Sequence, residues 1–127
     1  MKATEASSDL AALILFKGKS PESEAVFALH PKSREVLFPA MEALESIGKP
    51  AVDAILKQIR AASSNSAVEN LTHTLMEIYR YSPVEGIRTL KAGAAGEHKN
   101  FDFALEYAKG LCAPPERSRC ENASARE

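Results

Sequence analysis

The sequence predicts an all-α domain of stacked antiparallel helical hairpins, with about six or seven helices. Three observations carry this. Ala, Leu, Ile, Val, Glu and Lys dominate the composition, and most of these favour helices. Helix start and stop signals recur at short intervals. Apolar residues between them repeat at the 3.6-residue period, with no alternating run that would compete as a sheet. Links of only a few residues make successive helices antiparallel neighbours.

Each segment follows from its own signals. Ser7 or Ser8 caps a first helix through Leu10, Leu13, Ile14 and Phe16, which Gly18 ends. The run Leu13-Ile14-Leu15-Phe16 also suits a buried strand. Ser20-Pro21 opens a second segment through Val26 and Leu29, closed by His30-Pro31. Ser33 starts a third, with Val36, Leu37, Ala40, Leu44 and Ile47 on one face and Pro39 bending it from inside. Gly48 stops it. Pro50 opens a fourth, with Val52, Ile55, Leu56 and Ile59 on its apolar face.

Ser66 and Glu69 have the capping-box spacing for a fifth helix through Val68, Leu71, Leu75, Ile78 and Tyr79. Ser82-Pro83 begins a sixth through Val84, Ile87 and Leu90, ended by Gly93. Asn100 caps a seventh through Phe101, Ala104, Leu105 and Ala108. Residues 1–112 therefore read as a single helical repeat domain. Residues 113–127 are polar and proline-containing and read as a disordered C-terminal tail.

The totals bound the function. A chain of 127 residues suits one domain with a real core. With 16 basic against 17 acidic residues, the net charge is −1 and carries no nucleic-acid footprint. There is no Trp, and 3 Tyr and 5 Phe are few for a base-stacking platform. The longest apolar run, Leu10 to Phe16, is too short to span a bilayer. It also lacks the flanks of a signal peptide, so a cytoplasmic location is expected. A secreted or periplasmic location follows instead if a targeting segment has been removed.

The chemistry-bearing residues give no catalytic set, no metal site and no cofactor site. Glu69, His73 and Glu77 share one helix face, a spacing that could align metal ligands. That face lies opposite the apolar stripe, so a solvated face is the expected reading. His30 sits in a turn, and His98 in a glycine-rich link. The serines cluster at helix starts, where capping accounts for them. Asn70-Leu71-Thr72 and Asn122-Ala123-Ser124 match the glycosylation triplet, which is common by chance. Tyr79, Tyr81 and Tyr107 are candidates for a contact surface, against the reading that they pack between hairpins. Cys112 and Cys120 stand eight residues apart and could close a small disulfide loop. A cytoplasmic protein would keep them as thiols, the state expected here.

The segment from Val36 to Leu56 resembles a short bacterial HEAT-like repeat. The match rests on Val36, Ala40, Ala43, Leu44, Ile47, Gly48, Pro50, Ala51, Val52, Ile55 and Leu56. Small residues at Ala40 and Ala43 suit close helix approach, and Gly48 suits the turn. Leu37 and Glu45 stand where that family usually has arginine and glycine. A shift of 31 residues lays Ala67, Leu71, Leu75 and Ile78 on Val36, Ala40, Leu44 and Ile47. The resemblance implies an α-solenoid fragment acting as a protein-protein interaction or scaffold module, its partner unknown. The alternatives are a non-catalytic domain associated with an enzyme and, less favoured, a nucleic-acid-binding protein. In such arrays the second helix of each pair lines the concave surface. Here that surface would carry Asp53, Lys57, Arg60, Glu85, Arg88 and Lys91. An ordinary solvated face accounts for the same charges.

Overall fold

A computed structural model describes residues 3–15, 38–96, 98–114 and 116–125. Among them are seven α-helices and no strand. They are α1 (Ala3–Ala12), α2 (Pro39–Ile47), α3 (Val52–Ala61), α4 (Asn65–Ile78), α5 (Pro83–Ala94), α6 (Lys99–Leu111) and α7 (Arg117–Ala125). A single 3₁₀ turn, Lys49–Ala51, leads into α3. The expected second helix, with His30 and the residues up to 37, lies outside the described residues.

Local chemistry sets several boundaries. Pro39 is the first residue of α2 and not a kink inside it, which corrects the expected third helix. Phe38 before it is extended, at φ −117° and ψ 92°. A proline bars the helical conformation to its predecessor, so the helix starts there. Gly48 stops α2 at φ 79°, a conformation costly to other residues, and its N–H donates to Leu44 O. The fifth helix starts earlier than its capping box suggested. Ser64 is the cap, and its Oγ accepts from the N–H of Ala67. α1 also ends sooner than expected, before Leu13, and Leu13–Leu15 form a turn.

The apolar faces converge on one core. Ile14, Met41, Leu44, Ile55, Ile59, Val68, Leu71, Leu75, Ile87, Leu90 and Phe101 are all buried in it. The helix at its centre is α4, which touches α2, α3, α5 and α6. α2 packs on α4 and α4 on α6, while α3 touches α5 and α5 packs on α7. Contact on so many sides buries even the polar residues Asn70, Thr72 and Thr74 of α4. Asn70 Nδ2 donates to Ile14 O, pinning the turn after α1, and Thr74 Oγ1 donates to Asn70 O. The Thr72 hydroxyl has no hydrogen-bond partner among the described residues.

Helix ends are closed by side chains from elsewhere in the chain. Asn100 does not cap the seventh helix, as the sequence suggested. His98 does so, its Nδ1 accepting from the Asn100 N–H at 3.2 Å. The Asn100 side chain instead turns into the protein and donates to Ile59 O and Ala62 O, at 2.8 and 2.9 Å. Both oxygens belong to the end of α3.

The segment after Ala113 is the largest correction. Expected as a disordered tail, it carries α7, with Cys120 and Ala123 buried against the core. Cys112 and Cys120 form a disulfide, where thiols were expected. The bridge closes a tight turn between the end of α6 and the second turn of α7. It supplies an anchor that the polar sequence of α7 does not.

Replacing Asn100 by Leu should lower stability by about 2 kcal/mol, because two helix-end carbonyls lose their donor. Replacing Thr72 by Val should leave stability unchanged or raise it by up to about 1 kcal/mol, since a buried hydroxyl without a partner gives way to a methyl. Chemical denaturation of each variant measures both. A stable Asn100→Leu protein, or a Thr72→Val protein weakened by more than about 1 kcal/mol, would contradict these assignments.

Candidate functional site

Among the described residues, a concavity lies where α5 begins beside α7. It is a groove of about 820 Å³. Tyr81, Ser82, Pro83, Val84, Glu85 and Arg88 form one side, and Glu116, Arg119, Asn122 and Ala123 the other. Pro83 places the first side by starting α5 sharply, and Ser82 O accepts from the Glu85 N–H at 2.9 Å. The second side is placed by the Cys112–Cys120 bridge and by Arg117. The Arg117 guanidinium donates to Cys112 O and closes the end of α6.

The groove carries two pairs of opposite charges. Arg88 Nη1 lies 2.9 Å from Glu85 Oε2 and Arg119 Nη1 lies 3.9 Å from Glu116 Oε1. Both pairs span one helical turn, and both arginines are well exposed. Tyr81 stands at the rim, 87% exposed. The Arg80 guanidinium lies over its ring, 5.0 Å from the centroid. Arg80 is held above its usual pKa, first by a hydrogen bond and attraction to Tyr81, then by the carboxylates of Glu77 and Glu45.

A second cleft of about 420 Å³ adjoins the groove and shares Tyr81, Pro83 and Glu116 with it. His73, Glu77 and Arg80 also line it. The face of Glu69, His73 and Glu77 is therefore not the solvated face expected from periodicity. All three are half-buried, and the His73 Nδ1 and Glu77 Oε1 atoms are fully covered. The cause is the central position of α4, whose contacts with four other helices leave His73 and Glu77 in a cleft instead of on an open surface. No group of three or more His, Cys, Asp or Glu among the described residues is arranged to hold a metal ion.

The six charged residues suggested by the sequence separate in space. Glu85 and Arg88 line the groove. Asp53 and Lys57 are exposed on α3, away from it, and Lys91 is half-buried on α5. Arg60 is committed to the fold. It donates to Gly93 O and Ala94 O at the end of α5 and lies 5.2 Å from the Phe101 ring centroid. Of the three tyrosines, Tyr79 and Tyr107 are half-buried and Tyr81 alone is exposed. Asn70 of the first glycosylation triplet is buried and hydrogen-bonded, while Asn122 of the second is exposed in the groove.

Glu116 and Arg119 had no sequence signal marking them as site residues, and Asn122 had only the glycosylation triplet. They became wall residues only because α7 folds back through the bridge. No family model, curated protein or solved structure matches the chain.

The groove charges should be dispensable for folding. An exposed pair one helical turn apart contributes only about 0.2–0.5 kcal/mol. Replacing Arg88 by Glu should therefore shift stability by less than about 1 kcal/mol, read from thermal and denaturant unfolding. A larger loss would show that Arg88 is a structural residue.

Proposed function

We propose that the chain is a protein-binding module whose partner docks in the groove between α5 and α7. The observation that carries this reading is Tyr81. This large aromatic residue, 87% exposed, stands at the rim of an open groove. Tyrosine and arginine are the residues that most often dominate binding energy at protein interfaces, and here Tyr81 is joined by Arg88 and Arg119. The groove lining supplies both signs of charge, which suits a polar protein surface better than a nucleic-acid backbone.

The HEAT-like reading belongs with this proposal. It rests on the sequence resemblance from Val36 to Leu56 alone. In this reading, Glu85 and Arg88 form part of the partner surface, while Asp53, Lys57 and Lys91 lie outside its centre. The Cys112–Cys120 bridge favours a secreted or periplasmic location over the cytoplasm, because such bridges persist in oxidising compartments. No helix among the described residues is long and apolar enough to cross a membrane.

The test is affinity capture from the native source, followed by titration of the captured partner. Tyr81→Ala should weaken binding by roughly 30-fold or more, the effect of removing an interface anchor worth about 2 kcal/mol. Lys57→Glu, on exposed α3, should leave affinity within about twofold. Equal loss from both, or loss from Lys57→Glu alone, would move the interface away from the groove.

A further inference from the structure

One wall of the groove is held in an unusual way. The nine residues of α7 read Arg-Ser-Arg-Cys-Glu-Asn-Ala-Ser-Ala. Among its described side chains only Cys120 and Ala123 are buried. A helix of nine residues does not persist in water without tertiary support. Burial of one alanine and one sulfur supplies little. What ties α7 to α6 is the Cys112–Cys120 bond, assisted by the Arg117 bonds to Cys112 O. Cys112 also sits at the C-cap of α6, so the bridge joins the end of one helix to the second turn of the next.

We propose that the Cys112–Cys120 disulfide is a redox latch that determines whether the groove exists. Oxidised, it holds α7 against α5 and α6 and so presents Glu116, Arg119 and Asn122. Reduced, α7 undocks and the groove loses one side, while the core around α4 remains. The reaction is dithiol–disulfide exchange with a reducing dithiol. One thiolate of the dithiol attacks a bridge sulfur, forming a mixed disulfide and releasing the other cysteine as a thiolate. The second thiol of the reductant then displaces the first cysteine. The net change is one bridge and one dithiol to two cysteine thiols and one disulfide of the reductant, so electrons and protons balance. Both sulfur-bearing residues are at most 1% exposed. Attack therefore follows local opening of α7, and the latch responds to sustained reducing conditions.

The groove's role as a docking site rests on the function proposed above, but the latch is tested without a partner. Hydrogen exchange of the full chain is followed in the oxidised state, after reduction by dithiothreitol, and in the Cys112→Ala/Cys120→Ala variant. Amides of residues 117–125 should exchange roughly 30-fold faster once the bridge is gone (about 2 kcal/mol). Amides of α4 and of the middle of α6 should keep their protection within about threefold, and reoxidation should restore α7. Unchanged protection of α7 would overturn the proposal. So would loss of protection throughout the chain, which would make the bridge a staple of the whole fold. With the partner in hand, reduction should abolish binding. Tyr81→Ala should weaken binding with α7 still protected, so failure of the docking reading and failure of the latch give different results.

Discussion

The arrangement turns on how helix ends are closed where α3, α5 and α6 meet. Every α-helix leaves its last four carbonyls without intrahelical donors. Helices of nine to fourteen residues therefore carry a heavy load of such groups relative to their length. Here two side chains carry much of it. Asn100 uses both hydrogens of its amide on Ile59 O and Ala62 O, and Arg60 reaches Gly93 O and Ala94 O. Arg60 also lies over Phe101, one residue beyond Asn100. The end of α3, the end of α5 and the start of α6 are thus bound at one place by bonds that have direction. Apolar burial alone would hold these helices together without specifying their relative angles.

The central position of α4 explains why the core contains polar residues. α4 is covered by four other helices, so its periodic apolar stripe covers only part of what is buried. Asn70 and Thr74 meet the cost with hydrogen bonds to Ile14 O and to the Asn70 carbonyl. Glu69, His73 and Glu77 are drawn half inside by the same crowding. The second cleft owes its polar lining to this. Close approach on the other side is permitted by glycine. A Cβ on Gly93 would meet the end of the Leu56 side chain at 2.9 Å, so α5 and α3 lie close enough here that a larger residue would require Leu56 to shift.

The groove has a different origin from the core. Its α5 side depends on a local rule, the proline that begins the helix after an exposed turn. Its α7 side depends on a covalent bond across an eight-residue separation. The charges on each side are paired three residues apart, Arg88 with Glu85 and Arg119 with Glu116, so the groove lining is neutral overall and locally patterned. Such pairs exchange partners at little cost, because each contributes little where it stands.

Much of the helical class was legible in the residues, because it follows from rules that act over a few positions. The 3.6-residue spacing of Val52, Ile55 and Ile59, of Val68, Leu71 and Leu75, and of Ile87 and Leu90 marked faces that are buried. Gly48 and Pro83 marked a stop and a start that the chain uses. At other helix starts the same local rules pointed to Ser66 and Asn100 as caps, while the chain uses Ser64 and His98. Packing chose His98 over Asn100, because Asn100 is taken up by the carbonyls of α3, 38 and 41 residues away. The half-buried face of α4 could not be read from periodicity, which reports one helix and not how many neighbours surround it. The polar tail could not be read as a helix, since no hydrophobic pattern holds it. By itself, then, the sequence determined which stretches coil and which faces are apolar, through interactions within a turn or two. Only the tertiary structure decided which caps are used, which charges stay exposed and whether a groove forms, because those depend on donors, carbonyls and sulfurs brought together from distant parts of the chain.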